Sequence, residues 1–357
     1  MIKSVIVVAL LGVGYAYFGA VLFRGGFLYW SGQKDRRVGN APALPADAVS
    51  RVGMFTGKRA LVVGGTRGIG RGIATFLAAN DASVSVVGRN ETGGRGGVVR
   101  ALAAARAAAH RRYPLAPFAA PDGTSYPTHR FYAADLATRA ACDGLAARLR
   151  GSYDYVFFTV GAWPDFSGDQ RTADGQERVV ALDLVARHAV LAGLHARGSL
   201  KPGAVVASTL ASTLRFPYVD RKTIAHRLTG PPPSNLLDAL VPVAVAADAF
   251  LAAAPSRYPG VAFVGVFPGV VLTDVFASTF PAWALPWLKA LLKPIAITDL
   301  ESGEAHVAVA ASGKLPTDRA TFFNHYREAR ATHVPAYDAK IQALVWDFLE
   351  SKGRASA

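Results

Sequence analysis

The chain has 357 residues, 51% of them hydrophobic and 18% charged, a mixture that excludes an intrinsically disordered polymer. Its one cysteine, Cys142, excludes an intramolecular disulfide and a Cys-rich zinc module. Lys and Arg number 39 against 25 Asp and Glu, a formal net charge of +14; the densest basic stretch, residues 89–112, is poor in aromatics and lacks any nucleic-acid-binding signature, so no nucleic-acid partner is expected and the charge reads as a basic face toward an anionic membrane or cofactor.

Residues 4–23 form an uncharged run of 20 residues. As a helix that run covers ~30 Å, the hydrocarbon thickness of a bilayer. Tyr29 and Trp30 follow it, where interfacial aromatics are expected. The reading is a single-pass anchor over residues 1–30. A cleaved signal peptide, with Gly14-Tyr15-Ala16 as its small-x-small site, and a buried core helix are the alternatives. Lys3 precedes the run, whereas Arg24, Lys34, Arg36 and Arg37 follow it. The positive-inside rule then puts the remainder in the cytosol. Residues 31–55, with Gly39, Pro42 and Pro45, read as a linker.

A short apolar strand at 59–63, RALVV, runs into Gly64-Gly65-Thr66-Arg67-Gly68-Ile69-Gly70. Helical spacing follows at once, with Ile69, Ile73, Phe76 and Leu77 on one face. A strand, a glycine turn and a helix in that order make a diphosphate cradle. Glycines let the backbone approach the ligand, and the helix N-terminus presents unpaired N–H groups. A second strand is expected at 82–87, ending at Gly88-Arg89-Asn90. An NAD site would place an acid about here for the ribose 2′-hydroxyl. Arg89 stands there instead, with Arg67 in the glycine loop; two guanidiniums favour a 2′-phosphate and predict NADP(H). Further strands are expected at 130–134, closing on Asp135-Leu136, at 154–158 before Gly161, at 203–208, and at 259–267 before Pro268-Gly269 and Thr273. The histidines show no metal-ligand spacing, and His188 and His195, on one helix, read as structural.

Over residues 57–312 these motifs resemble the short-chain dehydrogenase/reductase family. GGTRGIGRGIA looks like its cofactor loop, and Pro268-Gly269-Val270-Val271-Leu272-Thr273 resembles its P-G-x-V-x-T beside the nicotinamide. The resemblance implies a Rossmann α/β fold with a doubly wound parallel sheet over residues 56–315, an N-terminal transmembrane helix before it, and a C-terminal helical extension over 316–357. It implies that Gly64, Thr66, Arg67, Gly68, Ile69, Gly70, Arg89, Asn90, Asp135, Leu136, Gly161, Pro268, Gly269 and Thr273 line the cofactor. Asp135 would accept from the adenine amino group, or cap the helix at 139–150, or both. The family's Asn-Asn-Ala-Gly is reduced here to Thr159-Val160-Gly161-Ala162. Asp183 sits roughly where many members carry a relay asparagine.

The family's chemistry uses a serine, a tyrosine and a lysine four residues after it. Ser208 or Thr209 would hold the substrate oxygen. Tyr218 and Lys222 have the Tyr–Lys spacing, with Tyr218 as proton donor. Tyr218, however, precedes Pro268 by 50 residues, more than is usual in the family. Either residues 230–235, GPPPSN, mark an insertion, or a helix over 236–254 takes the catalytic position and the pair is missing. Residues 275–298 would form the substrate lid. Its Phe280, Trp283, Trp287 and Leu291 suit a hydrophobic substrate or the membrane interface, or pack on the core. The expectation is an NADPH-dependent carbonyl reductase or alcohol dehydrogenase; the alternative is an NADPH-binding scaffold or sensor with a degenerate site. A homo-oligomer is common in the family.

Overall fold

The computed structural model describes residues 54–89, 91–112, 127–166, 168, 170–211, 219–274, 279–293, 296–313, 315–325 and 327–354. The expected anchor, nearly all of the linker, Asn90 and Tyr218 lie outside these residues. Phe55, at the linker's end, is buried edge-on against Tyr155.

Continuous apolar runs form the centre of one eight-stranded sheet, as expected for strands covered on both faces. In chain order the elements begin with β1 (Arg59–Val63), α1 (Gly68–Ala79), β2 (Ser83–Gly88), α2 (Glu91–Arg112), β3 (Arg130–Ala133), α3 (Arg139–Arg148) and β4 (Tyr153–Phe158). Then follow α4 (Arg178–Ala196), with a π-helical turn at Ala181–Val185, β5 (Leu200–Thr209), α5 (Arg221–Thr229), α6 (Leu236–Arg257) and β6 (Ala262–Val266). The chain finishes with α7 (Leu285–Leu292), α8 (Asp299–Ala310), β7 (Thr321–Phe323), β8 (Ala329–Arg330), a 3-10 turn at Val334–Tyr337 and α9 (Ala339–Arg354). The strand order is β3-β2-β1-β4-β5-β6-β7-β8, parallel except for β8.

This order makes a doubly wound sheet whose direction of winding reverses between β1 and β4. Ile73 and Leu77 of α1, Leu102 of α2 and Val307 of α8 pack on one face. Leu145 of α3, Leu184 and Leu191 of α4, and Val245 and Phe250 of α6 pack on the other, with Val345 and Leu349 of α9 joining the same core. His188 is buried edge-on to Phe250 and Trp346, a structural place. Helices α4 and α6 are long and apolar enough to cross a membrane by length and composition, but most of each is buried in this core.

Two expectations are corrected here. Residues 316–330 do not continue as helix: β7 and β8 extend the sheet beyond β6. A three-residue strand carries too few positions to show its period. Nor does Asp135 cap α3; Thr138 does, through its side chain, and exposed Asp135 accepts from the Ala137 N–H at 3.2 Å.

Helices α1 and α8 cross where glycine meets glycine. A methyl group on Gly72 would strike the Asp299 carbonyl, and one on Gly303 would strike the Gly72 backbone. Arg71 of α1 pairs with Asp299 at the start of α8. Gly72→Ala is therefore expected to lower stability by about 1–3 kcal/mol in urea unfolding, because backbone must move to admit the methyl. An unchanged midpoint would show that the crossing has slack.

Candidate active site

The crevice at the winding reversal is formed by two turns. Gly64 leaves β1 with φ +93°, and a Cβ there would lie 2.8 Å from the Val160 nitrogen in the turn after β4. Thr159 Oγ1 donates to the Val63 carbonyl at 3.1 Å and fills the space beside Gly64 and Gly70. A side chain at Gly70 would strike both Thr159 and the Gly64 carbonyl. Backbone thus meets backbone at Gly64 and Gly70, which only glycine permits.

The loop leads directly into α1. Side-chain oxygens cap α3, α4, α5, α6 and α8 through Thr138, Glu177, Asp220, Asn235 and Thr298. By contrast, α1 begins at exposed Arg67 with no side-chain cap and no acid in its first turn. Its first N–H groups and the positive end of its dipole are left for an anion. Thr66 packs against Gly88 at the end of β2, which brings the loop beside exposed Arg89. Thr273 closes the other side: a Cβ on Gly68 would lie 3.0 Å from its methyl. The uncapped helix start between Thr273 on one side and exposed Arg67 and Arg89 on the other has the chemistry to suit an anionic group.

The remaining predicted positions divide. Leu136 is buried, in the core. Gly161 is exposed beside Asp183, whose carboxylate leaves 2.6 Å for a Cβ there. Gly269 has φ +74° and lies under the His325 ring. Ser208 is buried in the sheet between Phe158 and Gly265, facing α4 and α6 with Val206 and Leu210. Thr209 faces the opposite way. Lys222 is exposed on the first turn of α5. Helix α6 makes the connection into β6, and its first two turns, LLDALVPV, hold neither tyrosine nor lysine.

Three more residues surround the ends of β4 and β5: Asp183, placed by the sequence near the family's relay asparagine, and Arg187 and His306, which the sequence left without a role. Arg187 of α4 is buried and donates to the Thr209 and Val160 carbonyls, both at 2.8 Å, tying the ends of β5 and β4 together. Asp183, in the π-helical turn, accepts from the Ala162 N–H at 2.9 Å and lies 3.6 Å from Arg187. Burial raises its carboxyl to about 6, against the pull of Arg187. His306 of α8 is 3.0 Å from Thr209 Oγ1 through Nε2 and 2.7 Å from the Ser302 carbonyl through Nδ1. A carbonyl only accepts, so Nδ1 carries the proton and Nε2 accepts from the threonine hydroxyl. Burial holds this imidazole neutral, down to about 4.

Solved structures share this architecture. A reductase/Diels-Alderase from Malbranchea aurantiaca is 18% identical, covering 77% of this chain and 96% of its own, with TM-score 0.53. A 3-oxoacyl-[acyl-carrier protein] reductase from Brucella melitensis, in complex with NAD, is 18% identical over 75% of this chain and 95% of its own, with TM-score 0.50. The fold is that of the short-chain dehydrogenases/reductases. A protein described as a short chain dehydrogenase/reductase family protein is 21% identical, covering 76% of this chain and 97% of its own, with TM-score 0.48. No family model matches the chain, and no curated protein matches it. Within the short-chain dehydrogenase/reductase fold, the glycine loop, the Gly161 turn and the Pro268-Gly269 loop meet at one end of the sheet, the carboxyl ends of its parallel strands.

Four buried histidines make the protein acid-sensitive. Burial holds His188, His306, His325 and His333 each down to about 4. Their contribution is complete above pH 6.5 and is lost as pH falls toward 4, because the unfolded chain takes up the protons first. Each withdraws up to about 3 kcal/mol at the acid end of that window. Asp183 and Glu304 work the other way, because burial raises both carboxyls and so favours the folded state at low pH. The unfolding midpoint in scanning calorimetry should therefore drop between pH 6.5 and 4; a flat profile would mean that these rings are solvated.

Proposed function

We propose that the protein is an NADP(H)-dependent oxidoreductase that reduces a carbonyl or oxidises an alcohol on a hydrophobic substrate. The observation that carries this is the uncapped start of α1 inside a cradle where glycine backbone meets the turn after β4. Gly64, Gly68 and Gly70 would hold the diphosphate through backbone, with Thr273 over it. Arg67 and Arg89 would take the 2′-phosphate by charge-assisted hydrogen bonds. The cofactor, when bound, supplies or accepts the hydride. The Gly161 and Gly269 turns would border its nicotinamide end. Ser208 would orient the substrate oxygen, and Tyr218 would exchange its proton, with Lys222 lowering the tyrosine pKa. The first 30 residues would anchor the chain in a membrane, with this domain in the cytosol.

A second reading has its own observation. The first two turns of α6 have no tyrosine or lysine, which favours an NADPH-binding scaffold or sensor without turnover. Loss of NADPH absorbance with a panel of lipophilic ketones and aldehydes separates the two. On the catalytic reading Tyr218→Phe lowers turnover about 100-fold or more while NADPH still binds. Turnover left intact by that change would assign the proton to another group.

Cofactor preference is a separate test. By titration, NADPH should bind more than about tenfold tighter than NADH, and Arg89→Ala should remove most of that margin. Gly70→Val should abolish binding of both, since its side chain would meet Thr159 and the Gly64 carbonyl. Equal affinity for the two cofactors would leave Arg89 as a solvated loop residue.

A further inference from the structure

We propose that the carboxylate of Asp183 makes the site distinguish the oxidised nicotinamide from the reduced one, holding the cationic oxidised form more tightly. The inference rests on the reading that the Gly161 and Gly269 turns border the nicotinamide end. Asp183 and Arg187 are set unevenly in the wall. Their side chains lie 3.6 Å apart, one turn of α4 from each other, yet Arg187 is 4% exposed and Asp183 26%. The cation is held inside, where its guanidinium donates to the Thr209 and Val160 carbonyls. The anion lies against the turn after β4. It accepts from the Ala162 N–H at 2.9 Å, and a Cβ added to exposed Gly161 would lie 2.6 Å from its Oδ1. With no side chain at Gly161, the negative member of the pair is the one nearer the crevice.

The oxidised ring carries one positive charge and the reduced ring none, while the phosphates and the adenosine are the same in both. A fixed anion beside the Gly161 turn therefore separates the two forms, whereas the glycine loop, Arg67 and Arg89 treat them alike. The other charges that face Asp183 are Glu177 at the start of α4 and Arg227 of α5, which pair with each other at 2.7 Å. Arg187 also faces Asp248 of α6, which has His333 at 3.5 Å. Burial holds His333 and, across the sheet, His306 down to about 4, so both rings are neutral at higher pH. Asp183 itself titrates higher, because burial raises its carboxyl to about 6. Above that pH the wall presents an anion to the crevice. Below it the carboxyl is neutral while Arg187 keeps its charge, so the preference for the oxidised form falls.

The test measures the dissociation constants of NADP+ and NADPH for the full chain by calorimetric titration, from about pH 8 to about pH 5.5, and reads their ratio. The 2′-phosphate also titrates in this range, but both forms carry it, so it cancels in the ratio. A purely structural role cancels too, since a loosened turn would weaken both forms alike. At about pH 8, Asp183→Asn, which keeps an oxygen to accept the Ala162 N–H, should shift the ratio about tenfold toward NADPH. In the unchanged protein the ratio should move the same way by about threefold as the pH falls across the range, and in Asp183→Asn it should stay flat. A constant ratio in the unchanged protein overturns the proposal, even if the asparagine variant does not fold. A ratio that still moves with pH in Asp183→Asn overturns it as well, because another group then supplies the charge. Binding of neither nucleotide at any pH overturns the nucleotide reading and this inference with it; binding of both at a constant ratio overturns this inference alone.

Discussion

The structure depends on backbone meeting backbone where the sheet reverses its winding. Gly64 presses on the turn after β4, and Gly70 presses on Gly64. Any side chain at either position would push the first helix away from the strand that feeds it. The same closeness leaves the start of α1 without a side-chain cap, so that its N–H groups face the crevice rather than a serine or aspartate. One constraint therefore serves both packing and recognition. The steric demand that sets the fold also creates the anion site.

The rest of the molecule holds that junction in place. On one face α8 lies against α1 so closely that Gly72 and Gly303 touch. From that helix His306 reaches the end of β5. On the other face Arg187 spans the ends of β4 and β5 with two hydrogen bonds to carbonyls. Its charge is answered by Asp183, one helical turn earlier. Farther along the same layer Glu177 caps α4 and forms a buried pair with Arg227 of α5 at 2.7 Å. Buried ion pairs add little net stability, yet removing either partner strands a charge. These links fix relative position more than they add free energy. That suits a site assembled from separate turns.

Much of this was legible in the sequence because its signals are local. RALVV and the apolar runs after it read as covered strands, and glycines mark the ends of β1 and β2. The arginine after β2 could be placed beside the glycine loop because Gly88 closes that strand and packs against Thr66. Other features have no local signature. His306 falls inside an ordinary helical pattern, and only the crossing of α8 with β5 gives it Thr209 as a partner. Arg187 resembles any surface arginine until the ends of two strands are seen to converge on it. Residues 221–229 form a helix of their own, followed by the proline loop and then α6, so counting residues back from Pro268 crosses a segment with no fixed length. β7 and β8 escaped notice because five residues in two strands hold too little pattern.

The charge distribution follows from the same physics. Burial strips water from a cation, and this interior accepts few of them. Its histidines stay neutral, and the buried Arg187 and Arg227 each have a carboxylate partner. The remaining positive charge is forced to the surface, where Arg67 and Arg89 stand beside the crevice. Exposed guanidiniums close to an uncapped helix end act on an anion together, because the helix contributes its partial charge at short range while the arginines supply whole charges through water. The site is thus basic at its rim and neutral within. Such a rim would draw an anion by charge. Thr209 with His306 on the α8 face, and Ser208 on the other, add no charge inside that rim.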